Sequence, residues 1–286
     1  MSEKSPQHQQ SLKIPKPILI TAKLLEMTSS KLAMKFASKL FTSPMKYKIP
    51  KREIEMDKNS IQQNLVLDSI KKEIVIYNYG QGTKKVLLVH GWSGRGTQLV
   101  KIADEMLKLG YSTISFDAPG HGKASGKSSN MTEFIAAILE MQDKFGPFEY
   151  AVGHSLGGMS ILNSIKRGLK VKKAVIVGSG DIVEDIFDDF VEKLGMNIAI
   201  SKKMKASFEK KIGETMESYS AYIVAREIQI PVLIIHDNDD ADVPVKAAHH
   251  IHENLKDSEL LITNGLGHRK ILGDAKVIKK IVAFLN

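Results

Sequence analysis

The sequence contains no cysteine, and this absence excludes several kinds of chemistry. With no cysteine among 286 residues, a disulfide scaffold, a thiol nucleophile, a Cys-x-x-Cys redox centre and a cysteine-ligated zinc are all ruled out. No apolar stretch approaches the roughly 20 residues that a membrane-spanning helix needs, and the apolar run at 17–22 is shorter than a signal-peptide core. We therefore predict a cytoplasmic protein.

Positive charge is distributed unevenly along the chain. The net charge is +9, and residues 1–58, with 12 Lys/Arg and 5 Asp/Glu, contribute +7 of it. The rest is nearly neutral, and the composition, 43% hydrophobic and 26% charged, is that of a globular protein. We predict a basic N-terminal extension over 1–50, in which the polar residues 1–16 are disordered.

Residue spacing in this extension predicts one amphipathic helix over 17–41. Lysines recur every fourth residue on one face, beside apolar side chains at the same spacing. These residues are Lys31, Lys35, Lys39, Leu32, Phe36 and Leu40. Such a helix either packs on the domain or lies on a membrane surface, and we favour the packed helix. No nucleic-acid-binding module is recognisable, so no nucleic acid partner is expected.

From residue 51 onward, short β-branched runs alternate with helical patterns. Predicted strands lie at 53–57, 72–79, 86–89, 112–116, 150–152, 174–177, 232–235 and 259–262. Predicted helices lie at 97–109, 132–145, 159–165, 246–255 and 277–285. The alternation indicates an α/β protein with a mainly parallel sheet, helices on both faces and an antiparallel pair at its start.

This alternation stops between residues 180 and 231. Charged amphipathic helices are predicted there at 182–194 and 202–216. We expect an α/β core over 51–180 and 231–286, with a small helical cap inserted at 181–230. The cap contains four acidic residues, Glu184, Asp185, Asp188 and Asp189.

A Gly-x-Ser-x-Gly motif directly follows the predicted strand at 150–152. Gly153, Ser155 and Gly157 occupy its fixed positions, and a helical pattern follows. This strand–turn–helix setting is typical of a nucleophile elbow, where glycines leave room around a strained serine. Ser155 is therefore the predicted nucleophile.

A serine hydroxyl needs a base and an acid that orients the base, in the chain order Ser, Asp, His. His268 is the predicted base because it follows the last strand, at the same sheet edge as Ser155. Four aspartates lie in the loop at 237–242. We favour Asp240 as the acid, with Asp242 second, and assign Asp237 and Asp239 to turn formation.

An oxyanion hole requires two N–H donors near the serine. The predicted donors are the backbone amides of Leu156, which follows the nucleophile, and of Trp92, in the loop after the strand at 86–89. We expect the indole of Trp92, the only tryptophan, to line the cleft. An alternative role for Arg95 in the same loop is contact with an acidic substrate group.

Histidines also cluster in the predicted helix at 246–255, at positions 249, 250 and 252. A metal site is the alternative interpretation of this cluster, but no carboxylate has suitable spacing, so we predict no metal. His236 ends a buried strand and is predicted to be structural.

Together these stretches resemble the α/β-hydrolase superfamily. They are HGW at 90–92, DAPGHG at 117–122, GHSLGG at 153–158, the loop 236–244 and GLGH at 265–268. The resemblance implies an α/β-hydrolase fold and a triad of Ser155, Asp240 and His268, with no metal or organic cofactor. The family pattern of an aspartate followed by Val-Pro at the third and fourth positions selects Asp240, with Val243 and Pro244, and His121 is expected to be structural. The two stretches HGWSGRG and GLGHRKIL are similar to those of a bacterial subgroup of predicted hydrolases that are esterase- or lipase-like. This similarity implies no particular substrate.

The predicted function is hydrolysis of a carboxylic ester in a small-molecule substrate, through an acyl-enzyme. Amide or peptide, thioester and C–C bond hydrolysis on the same triad are alternatives, and so is a non-catalytic ligand-binding protein of this fold. A serine at the elbow argues against dehalogenases and epoxide hydrolases, which the resemblance associates with aspartate. The substrate and the oligomeric state are left open.

Overall fold

A single mixed sheet forms the centre of the protein. The computed structural model describes residues 14–286, so the predicted disorder of 1–16 lies almost wholly outside the described residues. The strands are β1 Ile61–Val66, β2 Glu73–Tyr79, β3 Lys85–Val89, β4 Ser112–Asp117, β5 Tyr150–His154, β6 Lys173–Val177, β7 Val232–Asp237 and β8 Ser258–Thr263. Their order is β1-β2-β4-β3-β5-β6-β7-β8. β1, β2 and β4 pair antiparallel and the others parallel, which confirms the predicted mainly parallel sheet.

Helices cover both faces of the sheet. They are α1 Lys16–Thr28, α2 Ser30–Phe41, α3 Ile54–Asn59, α4 Val100–Lys108, α5 Met131–Phe145, α6 Leu156–Lys166, α7 Val183–Lys193, α8 Ile198–Ile212, α9 Ala221–Ala225, α10 Lys246–Asn254, α11 Gly267–Lys270 and α12 Ala275–Leu285. Within residues 14–286, no helix has the length and apolar character needed to cross a membrane.

Alternating side chains of β3 divide the core into two layers. Leu87 and Val89 pack in the layer with α5 and α6, whereas Val86 and Leu88 pack in the layer with α4 and α12. Successive side chains of a strand point to opposite faces. A continuous apolar run is therefore what a strand buried on both faces requires, and this explains why β3 was readable from the sequence.

The start of the core differs from its prediction. Residues 53–57 form no strand: Lys51–Glu53 is a 3-10 turn that leads into α3. Polar and apolar residues alternate there, but Glu53 is buried and accepts a hydrogen bond from the Thr97 hydroxyl at 2.9 Å. The antiparallel partner of β2 is instead β1, which has mostly exposed side chains and was missed.

The predicted single helix at 17–41 is two helices. Ser29 adopts an extended conformation between them, and its hydroxyl accepts a hydrogen bond from the Leu32 N–H at the start of α2. The buried face of α2 is formed by Ala33 and Ala37, while Leu32 is exposed. The predicted apolar stripe was therefore displaced by about one position around the helix.

α1 and α2 pack against the helices between β6 and β7. The Phe41 ring stacks on Phe187 of α7, with ring centroids 4.5 Å apart, and its edge contacts Phe208 of α8. The segment between β6 and β7 contains α7, α8, α9 and a 3-10 turn at Met216–Tyr219, and its described residues include no strand. Both predicted helices of this segment are present, and its separation as a cap remains a prediction.

Candidate active site

Ser155 lies in the sharp turn between β5 and α6. Its φ of 53° and ψ of −120° are strained for a residue with a side chain, and its N–H donates to the carbonyl of Val177 at 2.9 Å. A Cβ on Gly157 would lie 2.3 Å from the carbonyl oxygen of Val89, and one on Gly153 would lie 2.6 Å from the backbone of Gly157. The glycines of the motif therefore allow β3, β5 and α6 to approach closely around the serine.

His268 and Asp240 form a hydrogen-bonded pair at the carboxyl edge of the sheet. Nδ1 of His268 lies 2.7 Å from Oδ2 of Asp240. The other carboxylate oxygen, Oδ1, accepts the N–H groups of Asp242 and Val243 at 2.8 and 2.9 Å. His236 Nε2 lies 3.4 Å from Oδ2. Burial by itself would raise the pKa of Asp240, but hydrogen bonds to His236 and His268 hold that pKa below its ordinary value.

The pair lies beside the serine turn. A Cβ on Gly178, which directly follows the residue that accepts the Ser155 N–H, would come within 3.2 Å of Nδ1 of His268. The rings of His154 and His268 are 4.6 Å apart between centroids. The structure therefore places His268 and Asp240 in contact with each other, beside the turn at the end of β5 that contains Ser155.

Asp237, which sequence reasoning assigned to a simple turn, holds the loop that contains His268. Its carboxylate accepts the N–H groups of Leu266 and Gly267 at 3.1 and 2.9 Å, and the hydroxyl of Thr263 at 2.6 Å. Burial opposes ionisation, but these donors lower the pKa of Asp237 below its ordinary value. The ionised side chain thus fixes the loop just before His268, a role that only the fold reveals.

His154 is a second residue that sequence reasoning missed. It occupies the variable position of the motif, is buried, and its Nε2 lies 2.8 Å from the backbone carbonyl of His268. Burial, with a further contribution from the neighbouring His268, lowers the pKa of His154 to about 3. A neutral ring that donates from Nε2 therefore ties the turn that holds Ser155 to the backbone of His268.

A β turn of residues 91–94 faces the serine. The N–H of Gly94 donates to the carbonyl of Gly91 at 2.9 Å, and Ser93 has φ 56°. A Cβ on Gly91 would lie 3.0 Å from Cβ of Ser155. The central amides of such a turn do not close it, and the first amides of a helix, including that of Leu156, have no intrahelical acceptor. Both predicted donors, Trp92 and Leu156, thus lie on segments next to Ser155.

A group of neutral aromatic and imidazole rings supports this turn. Burial lowers the pKa of His121 to about 4 and that of His90 well below its ordinary value. Nε2 of His90 accepts the N–H of Ala118 at 3.1 Å, and the half-buried Trp92 ring meets His121 edge-on at 5.1 Å. His121 therefore contributes to the support of Trp92, in line with its predicted structural role.

The remaining candidates lie elsewhere or have other partners. Nε of Arg95 is 3.6 Å from the buried carboxylate of Glu53, so Arg95 anchors its loop to the core. Nδ1 of His250 contacts Asp181 at 2.5 Å, and Nδ1 of His252 contacts Ser258 at 2.7 Å. The side chains of His250 and His252 therefore have different partners and do not converge on a common point.

One group of possible metal ligands does occur among residues 14–286, and it overlaps the site. Atoms of Asp240, Asp242 and His268 lie within 4.8 Å of one another. Asp240 and His268 are already hydrogen-bonded to each other, which favours an acid–base pair over a metal centre.

The acidic residues of the predicted cap have local partners. Glu184 contacts Lys205 at 2.6 Å, Asp189 contacts Lys193 at 2.6 Å, and Asp185 lies 3.8 Å from Lys246. Asp188 accepts a short hydrogen bond from the hydroxyl of Ser201. Each of these four carboxylates therefore has a partner within the protein.

Comparison with known proteins gives matches along most of the core. The family model described as the alpha/beta hydrolase family matches residues 86–206, and one described as TAP-like protein matches residues 214–286. The chain is 26% identical over 237 residues to 2-hydroxy-6-oxononadienedioate/2-hydroxy-6-oxononatrienedioate hydrolase of Escherichia coli K12, an alignment that covers 66% of this chain and 82% of that protein.

Two further likenesses are more limited in what they show. The chain is 29% identical over 111 residues to the dihydrolipoyllysine-residue acetyltransferase component of the acetoin cleaving system of Cupriavidus necator, and it spans only 29% of that protein. The structure resembles an esterase from Exiguobacterium antarcticum with a TM-score of 0.62 at 18% identity, covering 79% of this chain and 99% of that one. The latter likeness shows the fold.

Three observations indicate the same fold: the turn at Ser155, the order of the strands and the two family models. The family and its hydrolase neighbours support hydrolysis as the general activity. The chain belongs to the α/β-hydrolase superfamily.

Proposed function

We propose that the protein is a serine hydrolase that cleaves a carboxylic ester through Ser155, His268 and Asp240. The observation that carries the proposal is the 2.7 Å contact between Nδ1 of His268 and Asp240, at the sheet edge where Ser155 is held at φ 53°. A base oriented by a buried acid, next to a serine in a strained turn, is the arrangement that activates a hydroxyl for attack on a carbonyl.

In the proposed reaction, Nε2 of His268 removes the proton of Ser155 as Oγ forms a bond to the ester carbonyl carbon. Collapse of the tetrahedral intermediate breaks the bond to the alcohol, which leaves with that proton. Water, deprotonated by the same nitrogen, then attacks the acyl-enzyme, releases the acid and restores the Ser155 hydroxyl. Asp240 accepts a hydrogen bond from the Nδ1–H group of His268 throughout, which leaves Nε2 free as the base and stabilises the imidazolium.

The proposed oxyanion donors are the N–H groups of Trp92 and Leu156. The short distance between Gly91 and Ser155 supports Trp92, and the position of Leu156 at the start of α6 supports the second donor. The positive end of the helix dipole adds to the stabilisation of negative charge there. Loss of one such donor typically lowers the rate by about 10²- to 10³-fold.

The decisive experiment combines active-site labelling with a substrate panel. We expect a fluorophosphonate to add one equivalent to the intact protein at Ser155, detected by mass spectrometry, and none to Ser155→Ala. We expect turnover of esters from a panel of esters, thioesters, amides and diketones. Labelling at another serine, or a protein that neither labels nor turns over any substrate, would refute the proposal and favour the ligand-binding alternative.

C–C bond hydrolysis is the second candidate, and the 26% identity to the Escherichia coli hydrolase favours it. That reaction would use the same three residues on a 2-hydroxy-6-oxo dienoate. The panel separates the two functions: a kcat/KM for such a diketone well above that for every ester would replace the ester assignment without changing the proposed residues.

A further inference from the structure

The outward face of α1 is apolar although it faces solvent. Ile20, Leu24 and Met27 follow one another at helical spacing and are 60%, 58% and 76% exposed, whereas Ala22 on the opposite face is fully buried. Single exposed apolar residues are common on protein surfaces, but a contiguous stripe of them indicates an interaction site. α1 therefore packs on the protein with one face and presents a second apolar face outward.

Lysines are frequent in α1, in α2 and in the segment that follows. Residues 16–48 contain seven lysines and one acidic residue, Glu26. Every one of these lysines is exposed: Lys16, Lys23, Lys31, Lys35, Lys39, Lys46 and Lys48. Glu26 is turned toward the protein, where its carboxylate accepts the N–H of Asn197 and contacts Lys23 at 3.1 Å. The outer surface of α1 and α2, which carries Ile20, Leu24, Met27 and the lysines of these two helices, is here called the N-terminal face, and it is both apolar and strongly positive.

This face is held in a fixed position relative to the candidate active site. Phe41 anchors α2 on α7 and α8. The segment that follows α2 then contacts the β turn of residues 91–94, because the N–H of Met45 donates to the hydroxyl of Ser93 at 3.0 Å. Nζ of Lys46 donates to the carbonyl of Ala124 at 2.6 Å. The segment that directly follows the N-terminal face therefore contacts the loop that contains Trp92.

We propose that the N-terminal face binds an anionic lipid surface. A helix with apolar residues on its outer face and lysines beside them is suited to lie in a lipid headgroup region. Each lysine near such a surface adds attraction to anionic lipids. The match between the exposed lysines of α1 and α2 and a negative surface is the charge complementarity that identifies the occupant.

The other possible occupants fit less well. A second copy in a two-fold contact would place the same patch on both sides and bring like charges together. A peptide partner usually needs a groove or a sheet edge, whereas the outside of a helix is convex. Residues 1–13 offer only two large apolar side chains, Met1 and Leu12, to cover the stripe.

The proposal also suggests a substrate class, and this part rests on the proposed function. Because the segment that directly follows α2 contacts the Trp92 loop, we expect an ester group in a lipid or a lipid-dissolved amphiphile to reach Ser155 from the bound lipid surface. A lipid-borne ester is then a better substrate than the same ester dissolved in water.

Vesicle binding tests the proposal independently of catalysis. Full-length Ser155→Ala protein, which cannot turn over, is mixed with vesicles in which about a third of the lipid is phosphatidylglycerol, or with pure phosphatidylcholine vesicles, and sedimented. We expect binding to the anionic vesicles that weakens in high salt. The apolar variant combines Ile20→Ser, Leu24→Ser and Met27→Ser, and it should weaken vesicle binding at least tenfold because the apolar contact is lost. The charge variant combines Lys31→Gln, Lys35→Gln and Lys39→Gln, and it should weaken vesicle binding by about fivefold per lysine.

Matched variants control for general surface effects. Ile61→Ser with Val66→Ser removes equally exposed apolar side chains from β1, and Lys276→Gln with Lys279→Gln removes exposed charge from α12. Neither pair should change binding, and circular dichroism should show all variants folded. Absence of vesicle binding, equal binding to both lipids, or equal binding by the N-terminal-face variants would overturn the proposal. Concentration-dependent self-association lost in the same variants, without vesicle binding, would identify a second copy instead.

Catalysis supplies the second readout. For active protein, the ratio of hydrolysis rates for a vesicle-borne ester and a water-soluble ester should fall at least fivefold in the Ile20/Leu24/Met27 variant. If neither ester is cleaved while vesicle binding persists, the proposed function fails and the lipid-binding proposal stands. An unchanged ratio would refute delivery of substrate from the lipid.

Discussion

Two histidines among residues 14–286 contact an aspartate through Nδ1, and the surroundings of these two pairs differ. His268 and Asp240 lie 2.7 Å apart at the site, and His250 and Asp181 lie 2.5 Å apart between α10 and the start of the segment after β6. In each pair the histidine uses Nδ1 and the aspartate Oδ2. Their distances alone would make either pair a candidate for acid–base chemistry.

Their surroundings separate them. The pKa of Asp240 lies below its ordinary value although burial would raise it, because His236, His268 and backbone amides stabilise the charged carboxylate. Burial raises the pKa of Asp181, which His250 and the N–H of Tyr222 only partly offset. The His250 side chain is 38% exposed and stacks on the Tyr222 ring, whereas that of His268 is 11% exposed.

The comparison shows that the backbone around a histidine–aspartate pair decides the role of the pair more than the contact itself does. Beside His268 lie a serine in a strained turn and the glycine-rich turn of residues 91–94, which leaves space at Ser155. Beside His250 lie Tyr222 and helix termini, so that pair fastens α9 and α10 to the end of β6. The following predictions test this difference, from the largest effect to the smallest.

Removal of the nucleophile or base should have the largest effect. We expect Ser155→Ala and His268→Ala each to lower kcat by about 10⁶-fold, the size of the loss when one member of such a triad is removed. His250→Ala should retain kcat within about threefold, because its ring is fastened to Tyr222 and Asp181. Steady-state assays on the best substrate of the panel measure all three. Comparable loss in His250→Ala and His268→Ala would show that the two pairs are not functionally distinct.

Exchange of the acids sharpens the comparison. Asp240→Asn should lower kcat by about 10⁴-fold, since an amide favours the wrong tautomer of His268, whereas Asp181→Asn should have little effect on turnover. Asp242→Asn completes the series, because Asp242 lies next to the site and was the second choice from the sequence. A large loss of kcat in Asp242→Asn, together with retained kcat in Asp240→Asn, would reverse the assignment.

Loss of the tie between the serine turn and His268 should have a smaller effect. His154→Phe keeps a ring but loses the donor to the His268 carbonyl. A misplacement of His268 by a fraction of an ångström should lower kcat by about 10- to 100-fold, with little change in KM. His154→Gln, which can donate from its amide, should recover part of the loss. Equal activity of the Phe and wild-type proteins would mean that the contact does not position His268.

The smallest effect concerns pH and stability. The folded-state pKa of His154, about 3, is below the ordinary 6.5, so the unfolded chain binds the proton first and stability is lost as pH falls below about 6.5. Between pH 6.5 and 5.5 this one group should lower the free energy of unfolding by about 1 kcal/mol. Urea unfolding of His154→Phe should therefore show a shallower dependence on pH in this range.

Asp181 provides a control of opposite sign. Its folded-state pKa is raised above the ordinary 3.8, so its contribution is fully present below that value and is lost as pH rises through the folded pKa. Compared with wild type, Asp181→Asn should remove a contribution that declines with rising pH, measured by the same unfolding experiment from pH 3.5 upward. A steeper pH dependence in His154→Phe would contradict the burial of a neutral ring.

The sequence by itself determined the parts that depend on neighbouring residues. Strands β3 to β8 were predicted because each contains β-branched or other apolar residues over the length of a strand, and Ser155 became the candidate nucleophile because an elbow needs glycines at fixed positions around it. The prediction of His268 followed from the chain order of its loop, whereas the choice of Asp240 among four aspartates rested on the resemblance to the family. In contrast, β1 has no apolar face to detect, and the alternation at 53–57 resembled a strand although it forms a helix start.

Only the tertiary structure decided which distant groups meet. His154 contacts the carbonyl of a residue 114 positions away, and His250 contacts Asp181 across 69 positions. The break at Ser29, the clamp formed by Asp237 and the outward stripe of α1 likewise depend on what each segment packs against. Hydrogen-bond partners and exposed faces are set by chain packing, whereas local patterns report only periodicity and backbone preference.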